Sequence, residues 1–395
     1  MSKITKGNLL YGQSGGPTST INTSAYGLFV EAFKHKEIEK VYATNYGVKG
    51  IISNDFVEIK NDKKLAKLKN TPGAIFGSNR FKLEDYHVND TTYKLILETF
   101  KKNNIRYFFY NGGNDSMDTI RKISKYLSRN HYECYCIGII KTIDNDLFGT
   151  DFSLGYAAAA TFIINSTIEI TLDDLSYEVG RVNIIETMGR NCGWLAASAK
   201  LAKLKNLEPD LIYVPELPLN IDKFLADVKN VYEKKKHCTV IVSEGLKDET
   251  GHFLSERSST NDCFGHNQLG GLSISLAHLV TEKLGYKTRY HELSLLQRAN
   301  SLSVSKVEQK VAMKLSSFAL KSALKGETNK VVVITRKNSY PYKFSLSLVP
   351  IKEVANLEKF LDKKYLPEIN GSINDSFIDY LSPLVDTILD VYIKD

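Results

Sequence analysis

Tyr135-Cys136-Ile137-Gly138-Ile139-Ile140 runs straight into Lys141-Thr142-Ile143-Asp144-Asn145-Asp146. The first six residues read as a buried strand, because a short apolar run rich in β-branched residues covers both faces of a parallel sheet. The next six read as the loop the strand empties into. Downstream, Gly155 to Ile170 is alanine-rich and helical. Strand, polar loop and helix together make the repeating unit of an α/β fold. In such sheets ligands bind beyond the carboxyl ends of the strands. If the loop is extended, Asp144 and Asp146 share a face. One could then accept a hydroxyl proton while the other helps hold Mg²⁺. A surface turn is the plainer alternative, but it fits poorly between an apolar run and an alanine-rich helix.

The same unit recurs on both sides of this stretch. Asn8 to Tyr11 reads as a strand ending in Gly12-Gln13-Ser14-Gly15-Gly16-Pro17-Thr18, with a helix from Thr20 to Phe33. Paired glycines let backbone amides approach an anion, and the following helix points its positive end at it. No GK[ST] follows, so this is not a P-loop. A tight strand-to-helix turn would look the same. Arg106 to Tyr110 is a second strand, emptying into Gly112-Gly113-Asn114-Asp115-Ser116 before a helix from Met117 to Leu127. That loop suits phosphate and metal together, although an aspartate there is also a common helix cap.

Further along, strands are expected at Arg181 to Glu186, Leu211 to Val214, Cys238 to Ser243 and Lys330 to Thr335. Helices are expected at Cys192 to Leu204, Ile221 to Lys234, Gln268 to Leu284 and Val304 to Leu324, with a long polar loop from Lys247 to His266.

A chain of 395 residues with 43% hydrophobic content buries a large core and suggests more than one domain. The net charge of +7 is too small for this length to argue for nucleic acid, and would favour phosphate-rich substrates. The five cysteines, Cys134, Cys136, Cys192, Cys238 and Cys263, form no CxxC pair. That argues against a disulfide framework or a zinc site, and for reduced thiols in the cytoplasm. Glycines interrupt the N-terminus before any signal-length apolar region, and no apolar run is long enough for a membrane span.

GQSGGPTSTIN, GGNDS, KTIDND and ETMGRNCGW, in this order and at these intervals, resemble the phosphofructokinase family. The likeness runs from about residue 7 to about residue 300 and weakens afterwards. It implies two similar Rossmann-like αβα domains with the active site in the cleft between them. Residues 1–153 and 298–346 would form the phosphoryl-donor domain, and 154–297 and 347–395 the sugar-phosphate domain. It implies Mg²⁺ as cofactor, transfer to the 1-hydroxyl of fructose 6-phosphate as in glycolysis, and a homodimer or homotetramer with shared sites.

Residue by residue, the resemblance makes Asp144 the general base, Thr142 a contact to the transferring phosphoryl group, and Asp146 a support for base and metal. Arg190, in Met188-Gly189-Arg190, would stabilise the phosphoryl group, with Met188 and Gly189 against the sugar. Glu244 would accept sugar hydroxyls. Arg298 would hold the 6-phosphate, and Arg181 and Arg289 would reach it from a neighbouring subunit. The bidentate fork of arginine suits that duty. The histidine usual three residues before the last arginine is Leu295 here, which puts part of that contact in doubt. Gly15, Gly16, Arg80, Gly113, Asn114, Asp115 and Ser116 would face the donor.

Two positions bear on the donor. ATP-using relatives have glycine where Asp115 stands, leaving space for the α-phosphate and nucleoside; an aspartate fills that space and repels a polyanion. Lys141 stands where they often have glycine, and would offset the charge of a compact pyrophosphate. Together the two residues are similar to the pyrophosphate-dependent branch. The family's preceding aspartate is Asn114 here, so the metal would fall to Asn114, Asp115 or Asp146. An ATP-dependent enzyme of the same family and a non-catalytic sugar-phosphate sensor stay open as alternatives.

Overall fold

The strand over Tyr135–Ile140 forms as read, and it lies near the middle of a seven-stranded sheet. The computed structural model describes residues 5–79, 81–261 and 267–393. The first sheet takes β1 (Gly7–Gln13), β2 (Ile38–Thr44), β3 (Phe56–Glu58), β4 (Ile105–Gly112) and β5 (Tyr135–Ile140). The chain then builds a second sheet from β6 (Val182–Thr187), β7 (Leu211–Tyr213) and β8 (Cys238–Ser243). A hairpin of β9 (Glu256–Asn261) and β10 (Asn267–Leu269) follows, and β11 (Thr288–Glu292) completes that second sheet. Finally β12 (Lys330–Asn338) and β13 (Lys343–Pro350) return to the first. Its order is β13-β12-β5-β4-β1-β2-β3, parallel through the centre with an antiparallel strand at each edge. The second sheet, β11-β6-β8-β7, is parallel throughout.

Burial explains why these segments are strands. Every residue of β1 is buried, as is all of β4 except Arg106, so both faces of the first sheet are covered by helices. In the second sheet, alternate residues divide between two cores. Ile185, Ile212 and Ile241 join the large core shared with the first sheet. Val182, Ile184, Leu211, Tyr213, Val240 and Val242 pack outward against Phe224, Val228, Leu276 and Val280. The period of two thus presses one face of the second sheet toward the first lobe and the other onto its own helices.

Two contacts fix helices that matter for the loops. The Ile21–Ala32 helix crosses the Lys306–Ala323 helix at Gly27, where a Cβ would come within 2.6 Å of Met313 Cα. Only glycine permits that approach. The Tyr156–Asp174 helix, which follows the Lys141–Asp146 loop, has its first amides satisfied from a distant element. Buried Glu308 accepts from Gly155 N at 2.6 Å and from Ala158 N at 3.0 Å. Burial pushes that carboxyl up to about 7, against the pull of these amides.

Several expectations need correction. The polar stretch expected as a loop from Lys247 to His266 is not simply one as far as Asn261, and 262–266 lie outside the described residues. Lys247 bridges Phe253 and β9 occupies Glu256–Asn261, because a chain whose polar amides pair across a hairpin can be a strand without an apolar face. The helix expected at Cys192 to Leu204 is an α-helix only over Trp194–Ser198, tightening to a 3₁₀ turn over Ala199–Lys205. The helix expected from Gln268 begins at Leu272, because Gly270 and Gly271 both take positive φ.

Glu308→Ala is expected to destabilise the fold by about 1–3 kcal/mol, since it strips buried amides of their acceptor. Glu308→Gln, which keeps an acceptor oxygen, should cost less. Urea unfolding of the three proteins checks the order, and equal stability of Ala and wild type would refute it.

Candidate active site

The carboxyl ends of β1, β4 and β5 deliver three loops to one place, and the end of β6 in the second sheet delivers a fourth. Together they line a cavity of about 200 Å³. Ser14 to Thr18 come from the first loop, Gly113 to Ser116 from the second, and Lys141 to Asp144 with Asp146 from the third. Met188 and Arg190 come from the fourth. Arg298, on the short Leu296–Ala299 helix, and Glu358 close the wall.

The loop after β5 is not extended, as the shared-face argument assumed. Asn145 takes φ 57° between the two aspartates. Its side chain supplies the reason: Oδ1 accepts from Ser153 N at 2.9 Å and Nδ2 donates to the Tyr380 hydroxyl at 2.9 Å. Asparagine tolerates this left-handed conformation better than most residues. Both aspartates still line the cavity, and Asp144 N donates to Thr142 Oγ1 at 3.1 Å.

Lys141 is 2% exposed, and its ammonium donates to Ser14 O at 2.9 Å and Gly16 O at 2.6 Å. It therefore ties the glycine loop to the aspartate loop as well as placing a positive charge at the cavity. The Asn114–Arg129 helix starts at the second loop and aims its N-terminus at the cavity, with Asp115 in its first turn. Gly113 holds the cap position and Asp115 lies within the first turn, so Asp115 is not the cap residue.

Arg190 takes φ 49°, a conformation that costs a non-glycine residue on the order of 1–3 kcal/mol. The facing loop packs directly on it, and only glycine fits there: a Cβ on Gly245 would fall 1.4 Å from Arg190 O. Glu244, beside it, ties into the same sheet end through its amide on Thr187 O at 2.9 Å.

Burial dominates the electrostatics. It raises the Asp144 carboxyl, while Arg190, Lys141 and Arg298 pull it back down and Glu358 adds to the rise. Asp146 is pushed up to about 7 by burial and then by the charge of Asp144. Glu244 is also pushed up to about 7, again by burial first and Asp144 second, with Arg190 opposing. Asp146 and Glu244 are thus poised near neutrality around Asp144, which faces the three cations.

Of the residues picked out from the sequence, Gly15, Gly16, Gly113, Asn114, Asp115, Ser116, Lys141, Thr142, Asp144, Asp146, Met188, Arg190 and Arg298 share this one cavity. Gly189, at φ 135°, shapes the turn between two of them. Arg80 lies outside the described residues. Arg181 and Arg289 are not at this cavity. They sit toward the amino ends of β6 and β11, about 20 Å (Arg181) and about 13 Å (Arg289) along the strands from the cavity end. There Arg181 stacks on Tyr177 at 4.7 Å and lies 3.7 Å from Asp173. Glu358 was missed, and no local pattern around it could have found it, because only the fold brings it to the loops. Among the described residues no group of three His, Cys, Asp or Glu side chains could hold a metal ion. Asn114 Oδ1 and Asp146 Oδ1, however, are both buried without a hydrogen-bond partner. Among the described residues no helix is long and apolar enough to cross a membrane.

Comparison with known proteins agrees with this fold. The family model described as Phosphofructokinase matches residues 8–322. The pyrophosphate–fructose 6-phosphate 1-phosphotransferase of Halomonas elongata is 37% identical over 384 residues, 96% of this chain and 91% of that relative. The crystal structure of a pyrophosphate-dependent phosphofructokinase from Nitrosospira multiformis superposes with a TM-score of 0.87 at 33% identity, covering 98% of this chain and 94% of that one. That of Marinobacter aquaeolei gives 0.86 at 34% identity with the same coverage.

Replacing Asp144 by Asn removes a negative charge that raises both neighbouring carboxyls. The midpoints of Asp146 and Glu244 should then fall from about 7 toward ordinary carboxylate values. Carbon-13 NMR of the side-chain carboxyls in the metal-free protein reads this directly, and unmoved midpoints would contradict the coupling.

Proposed function

The chain belongs to the phosphofructokinase family, and from that premise we propose that it transfers a phosphoryl group from pyrophosphate to the 1-hydroxyl of fructose 6-phosphate. The products are fructose 1,6-bisphosphate and phosphate. The observation that carries the reading is that Asp144, Arg190 and Arg298 share one cavity with the glycine loops and Asp115.

On this reading Asp144 takes the proton of the sugar 1-hydroxyl. Arg190, Lys141 and Arg298 oppose the rise that burial imposes on its carboxyl, which favours the ionised form that a base needs. Arg190 and Thr142 meet the transferring phosphoryl group, and Lys141 offsets charge on the phosphate that leaves. Catalysis is then mostly positioning and charge neutralisation, as phosphoryl transfer demands. Met188, Gly189 and Glu244 hold the sugar, and Arg298 its 6-phosphate. Gly15, Gly16, Gly113, Ser116 and Arg80 receive the donor. Asp115, in the first helical turn, excludes the larger ATP by occupying space and repelling its α-phosphate.

The unpartnered oxygens of Asn114 and Asp146 fit a hard divalent cation, with Asp115 beside them. Magnesium takes one or two protein oxygens and completes its shell with phosphates and water, so a three-carboxylate cluster is not required. When bound there, Mg²⁺ would neutralise the charge of the donor phosphates.

On this reading 1–153 with 298–346 form the donor domain and 154–297 with 347–395 the sugar domain, although β13 of the first sheet runs on to Pro350. The remoteness of Arg181 and Arg289 from their own cavity supports their acting in a neighbour's site, in a homodimer or homotetramer. A cytosolic setting goes with the four cysteines described as free thiols.

Purified protein with fructose 6-phosphate and Mg²⁺ should turn over with pyrophosphate and not with ATP. Turnover with ATP alone would overturn the donor assignment, and none with either would overturn the reaction. Asp144→Ala should lower kcat by about 10²–10⁴-fold, and a loss under tenfold would remove Asp144 as the base. Asp115→Gly should gain measurable ATP use, more so with Lys141→Gly. Because Lys141 also ties two loops together, the single variant is the cleaner test; no gain in either would refute the account of donor choice.

A further inference from the structure

The aspartate loop is gripped from behind by a side chain that no motif contains. Lys359 lies in the C-terminal segment that follows β13, where Glu358 forms an antiparallel bridge with Leu147. Lys359 N donates to Asp146 O at 2.7 Å, so this segment runs directly along the loop. The ammonium reaches further. It donates to Asn145 Oδ1 at 3.2 Å, Thr150 O at 3.1 Å and Asp151 O at 3.1 Å. Three donors meet three acceptors, the full capacity of an ammonium group. Its charge also lies 4.9 Å from the centre of the Trp194 ring, whose Nε1 donates to Lys359 O at 2.9 Å.

The acceptors are not arbitrary. Asn145 is the left-handed residue between the two aspartates, and Thr150 and Asp151 end the turn that the same loop makes. Tyr380 closes the arrangement, accepting from Asn145 Nδ2 and donating to Asp151 O at 2.8 Å. Holding a loop by a buried cation is costly, because desolvating an ammonium is paid back only by well-made hydrogen bonds. Apolar packing would hold a loop at lower cost, but it would not fix the direction of an amide side chain.

We propose that Lys359 is a positioning residue for phosphoryl transfer: by clamping Asn145 it holds the turn that aims Asp144 and Asp146 into the cavity. Its action passes through Asn145 and not through substrate. The inference rests on the phosphotransfer reading, but the two fail differently. If that reading is wrong the wild-type protein shows no turnover; if only this inference is wrong, the wild type turns over and the variants match it.

The test uses the full chain with pyrophosphate, fructose 6-phosphate and Mg²⁺. Lys359→Met should lower kcat by about tenfold to a hundredfold, the usual loss when a reacting group is misplaced by about 1 Å. KM for both substrates should stay within about threefold, since the binding residues are untouched. Lys359→Arg, which keeps a cation with several donors, should recover part of the loss. Asn145→Ala should lower kcat similarly, and the double variant Lys359→Met/Asn145→Ala should be no worse than the poorer single variant, because on this proposal both act through the shared Lys359–Asn145 bond. Lys359→Gln, polar and of similar reach, serves if the Met variant does not fold. A kcat within twofold of wild type, a loss carried by KM, or additive losses in the double variant would overturn the proposal.

Discussion

Charge buried in a cleft has to be balanced within a few ångströms, and that requirement organises this molecule around its cavity. The carboxyl of Asp144 faces Lys141, Arg190 and Arg298, which arrive from three separate elements, and Asp146 lines the same cavity. Removing any one element leaves the others with uncompensated charge in a medium that screens poorly. The two lobes therefore meet where they do for an electrostatic as well as a geometric reason. The first sheet contributes the acids and the lysine, the second contributes Arg190, and the segment leading back to the first contributes Arg298. The left-handed backbone at Asn145 is held by its side-chain bonds to Tyr380 and Ser153, and that at Arg190 lies packed against Gly245.

Much of this was legible in the sequence, and the legible parts share a property. KTIDND, GGNDS and MGR each follow a short apolar run, so local pattern alone placed them at strand ends, and the sheet did the rest. The strands at Tyr135–Ile140 and Cys238–Ser243 appear with the bounds expected, because fully buried parallel strands carry an unbroken apolar signal. By contrast β2, with its exposed Glu39 and Lys40, and β13, which is mostly half-exposed, blend into polar surroundings, and neither was read.

The parts that stayed hidden depend on contacts between distant segments. Glu358 and Lys359 sit beside a loop more than two hundred residues earlier in the chain, and nothing in their neighbours announces it. Glu308 looks like an ordinary acidic residue in a helix's first turn, which it is, yet its carboxylate also serves the start of a different helix. The non-extended turn at Asn145 was missed for the same reason: its cause is the hydroxyl of Tyr380 and the amide of Ser153, not the sequence of the turn itself.

The strand order of the first sheet has a consequence for the chain's synthesis. β5 pairs with β4 on one side, but its other neighbour, β12, is separated from it by about 190 residues that build the whole second sheet. On a ribosome adding 5–20 residues per second, the apolar edge of β5 waits on the order of 10–40 s for its partner. An unpaired edge of that kind is a template for pairing with other chains. The nascent protein is thus most exposed to aggregation in the middle of its translation, and a chaperone that shields strand edges would have its greatest effect on yield in that interval.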